Sequence, residues 1–377
     1  MAGPDFDSVV IGAGAVGLAV AARLAAAGQS VLVLETADHP GDGISSRNSE
    51  VIHSGIYYPT GSLKHRLCLR GRQLLYAFLD RRGLPHRKCG KIIVATDAAE
   101  RAGIEALFHR GRQNGVEGLE LIDGAQVARM EPEVAAVAGL WSPETGIFDS
   151  HQVLLALIAE IEAGGGHVAL RSPFEAAEAG PAGFTVHTGG ADPAVLTAAR
   201  LINCAGLAAP AAARRIAGPD AATIPALRYA KGSYFSLTGP APFTRLIYPA
   251  PVDGGLGIHA TLDLAGQVRF GPDVEWCPAG TRAAALDYRV DPGRAALFAA
   301  AVRRYWPGID DRRLVPDYAG IRPKLSGPGE PPADFAIRGP ADHGCPGLVN
   351  LYGIESPGLT SALAIAEHVM EILGCGP

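Results

Sequence analysis

A short apolar run, Val9-Val10-Ile11, ends in Gly12-x-Gly14-x-x-Gly17, and this junction constrains the chain more than any other stretch. A run of that length that stops at glycine reads as a buried parallel strand. Residues 15 to 27 are rich in Ala and Leu with Arg23 as the one charge, and Gly28 stops them. They read as a helix with a glycine cap. Val31 to Leu34 forms the next strand and delivers Glu35, eighteen residues after Gly17. Each glycine has a task in such a βαβ unit: a tight turn, close backbone approach to a pyrophosphate, and close packing of helix on strand. The start of the helix at Ala15 and Val16 offers unpaired N–H groups and the positive end of the helix dipole to phosphates. The Glu35 carboxylate accepts hydrogen bonds from ribose hydroxyls. Strand, glycines, helix, strand and acid in register specify a dinucleotide site; the glycine spacing alone does not. The fingerprint does not separate FAD from NAD.

The rest of the composition narrows the partners. A chain of 377 residues, 48% hydrophobic, buries a sizeable core and accommodates two or three domains. A formal net charge of -5 excludes a basic nucleic-acid footprint. Residues 1 to 7 carry no basic, apolar leader, and no stretch approaches an uncharged membrane span. Peripheral membrane contact stays open. Cysteines stand at 68, 89, 204, 277, 345 and 375 with no C-x-x-C pair, so free thiols in a reducing, cytoplasmic setting are expected. The sequence has no H-E-x-x-H, P-loop lysine or G-x-S-x-G motif, and no metal site is expected.

Along the chain, Ser62 is placed to cap a helix over 63–82. Further helices are expected over about 98–113, from Asp149 or Ser150 to about 163 before Gly164-Gly165-Gly166, over 295–305 and over 359–373. Strands are expected at 91–95, 168–170, 184–188 and 201–203. From about 223 to 290 short β-like runs (233–237, 256–261, 267–270) alternate with Pro/Gly turns and read as an antiparallel sheet. A Pro/Gly-rich section runs to about 347, and its Gly-Pro segments, such as 326–332, read as loops. The expected fold class is α/β: a Rossmann-type domain with a second α+β domain built on an antiparallel sheet. The expected division is 1–85, 145–215 and 315–377 for the first domain, 86–144 and 216–314 for the second, with the last helix returning to the first.

The segment from Ser45 to Pro59 (SSRNSEVIHSGIYYP) is polar, then apolar, and lies just beyond the adenosine half. Its hydroxyls, with Arg47 and Asn48, suit a pyrophosphate and a polyol chain; the bland alternative is a solvated loop. Together with the fingerprint, Arg47-Asn-Ser-Glu-Val-Ile-His-Ser-Gly-Ile-Tyr-Tyr58 resembles the FAD-dependent D-amino-acid-oxidase superfamily and, within it, the L-2-hydroxyglutarate dehydrogenase/oxidase branch. Further matches are Cys89–Ala95, Asn203–Gly206, Lys231–Phe235, Gly257–His259, Gly320–Pro323 and Gly353–Ser361, spanning almost the whole chain. The resemblance implies a discontinuous FAD domain joined to a β-sheet substrate domain. It implies FAD contacts at Gly12, Gly14, Ala15, Val16, Gly17, Glu35, Ser45, Ser46, Arg47, Asn48, Ser49, Ala205, Gly206, Gly320 and Arg322. Ser356, Pro357, Gly358, Leu359 and Thr360 would lie beside the flavin ring at the start of the last helix, where N–H groups stabilise negative charge. Some relatives attach FAD through a histidine; Arg47 stands at the corresponding position, so non-covalent FAD is expected.

Oxidation of a 2-hydroxy acid needs a base for the hydroxyl proton and cations that orient the carboxylates. His53 and His259 are the candidate bases, and which of them acts stays open. Arg322 is the candidate carboxylate fork, because a guanidinium binds carboxylates bidentately. Lys231 is a candidate for a distal carboxylate, and Tyr57, Tyr58 and Tyr234 for hydrogen-bond donors or walls. The alternatives are a structural ion pair for Arg322, an exposed strand lysine for Lys231 and packing for the tyrosines. The reaction expected is FAD-dependent oxidation of an L-2-hydroxy acid, such as L-2-hydroxyglutarate, to the 2-oxo acid by hydride transfer to flavin N5. Oxygen or a quinone-type molecule would take the electrons. Amino-acid or secondary-amine oxidation on the same scaffold, and a flavin-binding redox module without turnover, are the competing readings.

Overall fold

The strand Phe6–Ile11, buried from Ser8 onward, is flanked on both sides by parallel partners, Val31–Leu34 and the strand Val195–Asn203. The computed structural model describes residues 3–251 and 257–375. Met1, Ala2 and Leu256, the first residue of one expected run, lie outside the described residues. The parallel order runs His167–Ala169, Val31–Leu34, Phe6–Ile11, Val195–Asn203, Leu348–Tyr352, closed by the antiparallel edge Ala336–Arg338. Val31–Leu34 is an uninterrupted apolar run, and Phe6–Ile11 ends in one, because both faces are covered.

The helix Ala15–Ala26 starts directly after Gly14 and is buried on almost every side. It packs between the helix Ser150–Ala163 and the C-terminal helix Gly358–Ile372, so the C-terminus returns to the N-terminal sheet. The helix Leu63–Arg82 begins at Ser62, whose side chain accepts the His65 N–H, and ends at Gly83 in a left-handed conformation. It lies against the C-terminal helix so closely that a Cβ on Gly71 would stand 2.5 Å from the Thr360 carbonyl oxygen.

The second sheet carries the expected 233–237 run inside a longer strand, Arg228–Leu237. One edge of that strand pairs with Leu314–Lys324 along its length, and the other with Val268–Gly271 and Glu275–Trp276. His259–Leu262, Leu246–Pro249, Lys91–Ala95, Ala138–Ser142 and Glu120–Asp123 follow in order. The pairing is antiparallel except between Leu246–Pro249 and Lys91–Ala95, which run parallel. Leu314–Lys324 falls in the Pro/Gly-rich section and, but for Leu314, inside the segment 315–377 expected in the first domain; its pairing puts it in the second sheet. Pro316 and Pro323 hide the strand in the sequence, since proline donates nothing to a ladder.

Among the described residues, no helix is long and apolar enough to cross a membrane. One core, including Val10, Leu18, Val33, Ile202 and Ile365, lies under the parallel sheet. Another, including Ile92, Leu140, Phe235, Ile247 and Phe298, backs the second. The candidate site lies between the two sheets.

Candidate active site

The glycines of the fingerprint are held to their tasks by steric contact. Gly12 has φ 102°, and a Cβ there would stand 2.7 Å from the Cys204 carbonyl oxygen, where the fourth strand of the parallel sheet ends. A Cβ on Gly17 would collide with the Gly12 carbonyl oxygen. Gly14 faces only the Ser45 hydroxyl, which accepts the Ala15 N–H at 2.9 Å. Glu35 accepts N–H bonds from Ala13 (2.8 Å) and Ala37 (2.9 Å); a carboxylate has about four acceptor positions, so capacity remains for ribose hydroxyls. Asn203 is fully buried and braces the next turn, donating to Ala209 O and Asn350 Oδ1 and accepting the Ala205 N–H.

All of this opens on one cavity of about 2250 Å³, which runs from the fingerprint to the second sheet. That volume exceeds the roughly 300–1,000 Å³ of ordinary small-molecule sites, and suits an extended dinucleotide with a substrate beside it. Gly12, Gly14, Ala15, Val16, Gly17, Glu35, Ser45, Arg47, Asn48, Ser49, Ala205, Gly206, Gly320, Arg322 and Ser356 to Thr360 line it. Ser46 does not: its N–H and hydroxyl close the turn onto the carbonyls of Gly41 and Asp42. Asn48 lines the cavity but spends its amide on the Ser45 carbonyl and the Glu50 N–H.

His53, Tyr57, Tyr58, Tyr234, His259 and Arg322 line the same cavity. Nε2 of His53 lies 3.2 Å from the Ser356 hydroxyl, while its buried Nδ1 has no hydrogen-bond partner. Burial, helped by the charge of Lys91, pulls its pKa down to about 3, so the imidazole is neutral. Arg322 is fixed by Nη2, which donates to the carbonyls of Asp273 (2.5 Å) and Lys231 (3.5 Å); its buried Nε is unpartnered. The Tyr234 hydroxyl lies 2.9 Å from Ser49 Oγ, and its ring stacks on Tyr318. Burial pushes the Tyr58 hydroxyl well up, so it stays a donor. Lys231 is the exception. It faces the other side of its strand, 9% exposed, and its ammonium donates to the Arg289 carbonyl. Gly232 and Tyr234, not Lys231, reach the cavity.

Several participants escape a reading of motifs alone. Lys91 is buried behind the wall formed by Tyr57 and Tyr248. Tyr248 itself stacks on His259. Lys324 and Lys64 both pair with Glu355, just before the last helix. A lysine opening the apolar run 91–95 is the one local oddity at the first of these, and it does not by itself specify burial.

Residues 7–372 match the model of a family described as FAD dependent oxidoreductase. The chain belongs to that family. The L-2-hydroxyglutarate dehydrogenase, mitochondrial, of Arabidopsis thaliana is 46% identical, covering 96% of this chain and 82% of that protein. The L-2-hydroxyglutarate dehydrogenase of Salmonella houtenae is 28% identical over 97% and 92%. Among solved structures, the dithionite-reduced, FAD-bound L-alpha-glycerophosphate oxidase of Mycoplasma pneumoniae matches with TM-score 0.86 at 23% identity, over 98% of this chain and 94% of that one. Glycine oxidase from Geobacillus kaustophilus matches at 0.80 and 18%, over 99% and 95%. At those identities the two structures report the fold alone. The oxidoreductase thus uses FAD, and its residues fit that group: Gly12 and Gly17 close a turn so tight that a Cβ on either would collide with backbone, Gly14 meets only the Ser45 hydroxyl, and the buried Nε of Arg47, a cavity-lining residue, is left without a partner.

Proposed function

We propose that the oxidoreductase converts an L-2-hydroxy dicarboxylate, with L-2-hydroxyglutarate as the first choice, to the 2-oxo acid. The observation that carries this reading is that an unpartnered, buried Arg322 Nε and a neutral His53 belong to residues lining one cavity. The names of the curated relatives support the choice of substrate. Arg322 holds the substrate carboxylate beside the strand Leu314–Lys324, because its other nitrogen is already anchored to backbone carbonyls. His53, neutral and hydrogen-bonded to Ser356, accepts the hydroxyl proton at a ring nitrogen. Tyr58 and Tyr234 donate to substrate oxygens and keep water from the chamber. Bound FAD supplies the hydride acceptor, and oxygen or a quinone-type molecule takes the electrons.

The FAD is held without a covalent bond by the fingerprint, Glu35, Ser45, Arg47, Ser49, the turn at Ala205-Gly206 and the segment Ser356–Thr360. Its lobe comprises 1–85, 145–215 and the chain after Lys324, and the substrate lobe 86–144 and 216–324. The free state of all six cysteines supports a reducing, cytoplasmic setting.

The test is anaerobic bleaching of the yellow holoenzyme by a panel of 2-hydroxy acids and amino acids. Bleaching by L-2-hydroxyglutarate is expected. Bleaching by amino acids alone would replace this reading with amine oxidation. A flavin that no substrate bleaches would leave only the redox-module reading.

A further inference from the structure

Lys91 is 1% exposed and opens the strand Lys91–Ala95. Its ammonium lies over two rings, 4.7 Å from the centroid of Tyr57 and 4.6 Å from that of Tyr248. The imidazole of His259 stacks on Tyr248 at 3.5 Å and 11°. A parallel ring at that distance fills one face of the tyrosine, so the ammonium takes the other. Tyr57, Tyr248 and His259 line the cavity; Lys91 therefore stands directly behind the aromatic wall of the substrate chamber. Lys64, the other buried lysine near this cavity, is paired with Glu355. Lys91 has no carboxylate partner among the described residues; the two tyrosine rings face its ammonium, and the Cys68 thiol, pushed up to about 12, is uncharged near neutrality.

We propose that Lys91 is the specificity-determining charge of the chamber, an ammonium compensated by the anionic substrate itself and opposed to an amine-bearing one. This rests on the 2-hydroxy dicarboxylate reading and sharpens it, because a hydroxy acid and an amino acid differ in the cation that Lys91 would repel. Lys91 touches no reacting atom; it acts through the wall as a positioning residue.

The physical basis is linkage. Burial depresses the Lys91 pKa to about 7, so near neutrality the site is divided between charged and neutral forms. An anion entering the chamber draws a proton onto Lys91; a cation expels it. The groups that face Lys91 do not titrate in competition. Tyr57 and Tyr248 are pushed up by burial, as is Cys68, to about 12. His53 is held at about 3. On the neighbouring strands Ser142 and Leu246 oppose Lys91 and carry no charge. Cys89, on the same segment, is raised by burial, with Arg87 and Arg245 beside it. Arg72, one turn beyond Cys68, is paired with Glu117 and Glu144. His259 lies beyond the Tyr248 ring.

The experiment uses the FAD-loaded enzyme and glutarate, a dicarboxylate with no oxidisable hydroxyl, with binding followed by the flavin's visible absorbance across the neutral pH range. Wild-type affinity is expected to weaken as pH rises through about 7, by about tenfold in all for about one pK unit of coupling. Lys91→Met should bind about tenfold more weakly at neutral pH, where about one pK unit of coupling is lost, and should show no such dependence. Lys91→Arg, charged throughout, should keep the affinity and lose the dependence. A Lys91→Met enzyme that retains the wild-type pH profile, or a well-folded Lys91→Arg that behaves like Lys91→Met, would overturn the proposal. If glutarate binding follows Lys91 but no 2-hydroxy acid bleaches the flavin, the substrate reading fails and the role of Lys91 stands. If L-2-hydroxyglutarate bleaches the flavin while glutarate binding ignores Lys91, the reverse holds.

Discussion

Gly320 and the carbonyl of Arg47 meet with no space for a methyl group between them, since a Cβ on Gly320 would collide with that oxygen. The contact ties the strand Leu314–Lys324 to the loop that carries Ser45, Arg47 and Ser49. Two residues earlier on the same strand, Tyr318 donates its hydroxyl to the Asn48 carbonyl. The substrate sheet thereby sets the position of a loop on the cofactor side of the cavity.

Gly320→Ala is therefore expected to loosen FAD. Forcing a methyl group into a filled contact costs about 1–3 kcal/mol, so the FAD dissociation constant should rise by about five- to a hundredfold. Gly180→Ala, at an exposed strand end off the cavity lining, where the added methyl would meet only the Gly183 carbonyl oxygen at 3.8 Å, should leave retention unchanged. Flavin fluorescence released on dilution measures both. Equal retention in the two variants would remove the loop from the cofactor site.

Arg322→Ala should weaken carboxylate binding and leave FAD in place. Its anchored Nη2 and unpartnered Nε make it a prepared half-fork. A hydrogen bond to a charged group contributes about 1.5–3 kcal/mol, so KM should rise by roughly ten- to a hundredfold. Arg322→Lys should restore only part of this, because an ammonium cannot reproduce the planar fork. Loss of FAD without a change in KM would move Arg322 from substrate to cofactor.

Lys231→Ala should change neither KM nor FAD content, and steady-state kinetics beside Tyr234→Phe provides the check. The reason also marks a limit of sequence reading. Lys231 and Tyr234 were both expected at the site, yet residues three apart on a strand face opposite sides, and the pairing with Leu314–Lys324 keeps Lys231 on the far face. What could be read from the sequence was local: Ser62 capping its helix, the glycines in their turns, and an apolar strand running into each. The length of Arg228–Leu237, the strand Leu314–Lys324 with its two prolines, and the burial of Lys91 depend on partners remote in sequence. No local pattern specifies those.

Stability should rise with pH across the window set by His53. Its folded pKa is about 3 against an ordinary 6.5, so between those values the unfolded chain binds a proton that the folded chain refuses. Unfolding then takes up protons, and acid favours it: the stability of the fold falls as pH drops from about 6.5 and levels off near 3. The slope contributed by one such group approaches about 1.4 kcal/mol per pH unit in mid-window. His343, depressed mainly by burial, and Glu355, held down by Lys64 and Lys324, act in the same direction. The decisive quantity is therefore a difference. Urea unfolding of wild type and His53→Phe, measured at matched pH values, should give curves that converge toward neutrality, up to a constant offset from the changed packing, and separate in acid, with the variant losing less. Parallel curves would mean that burial does not depress His53 in the folded enzyme.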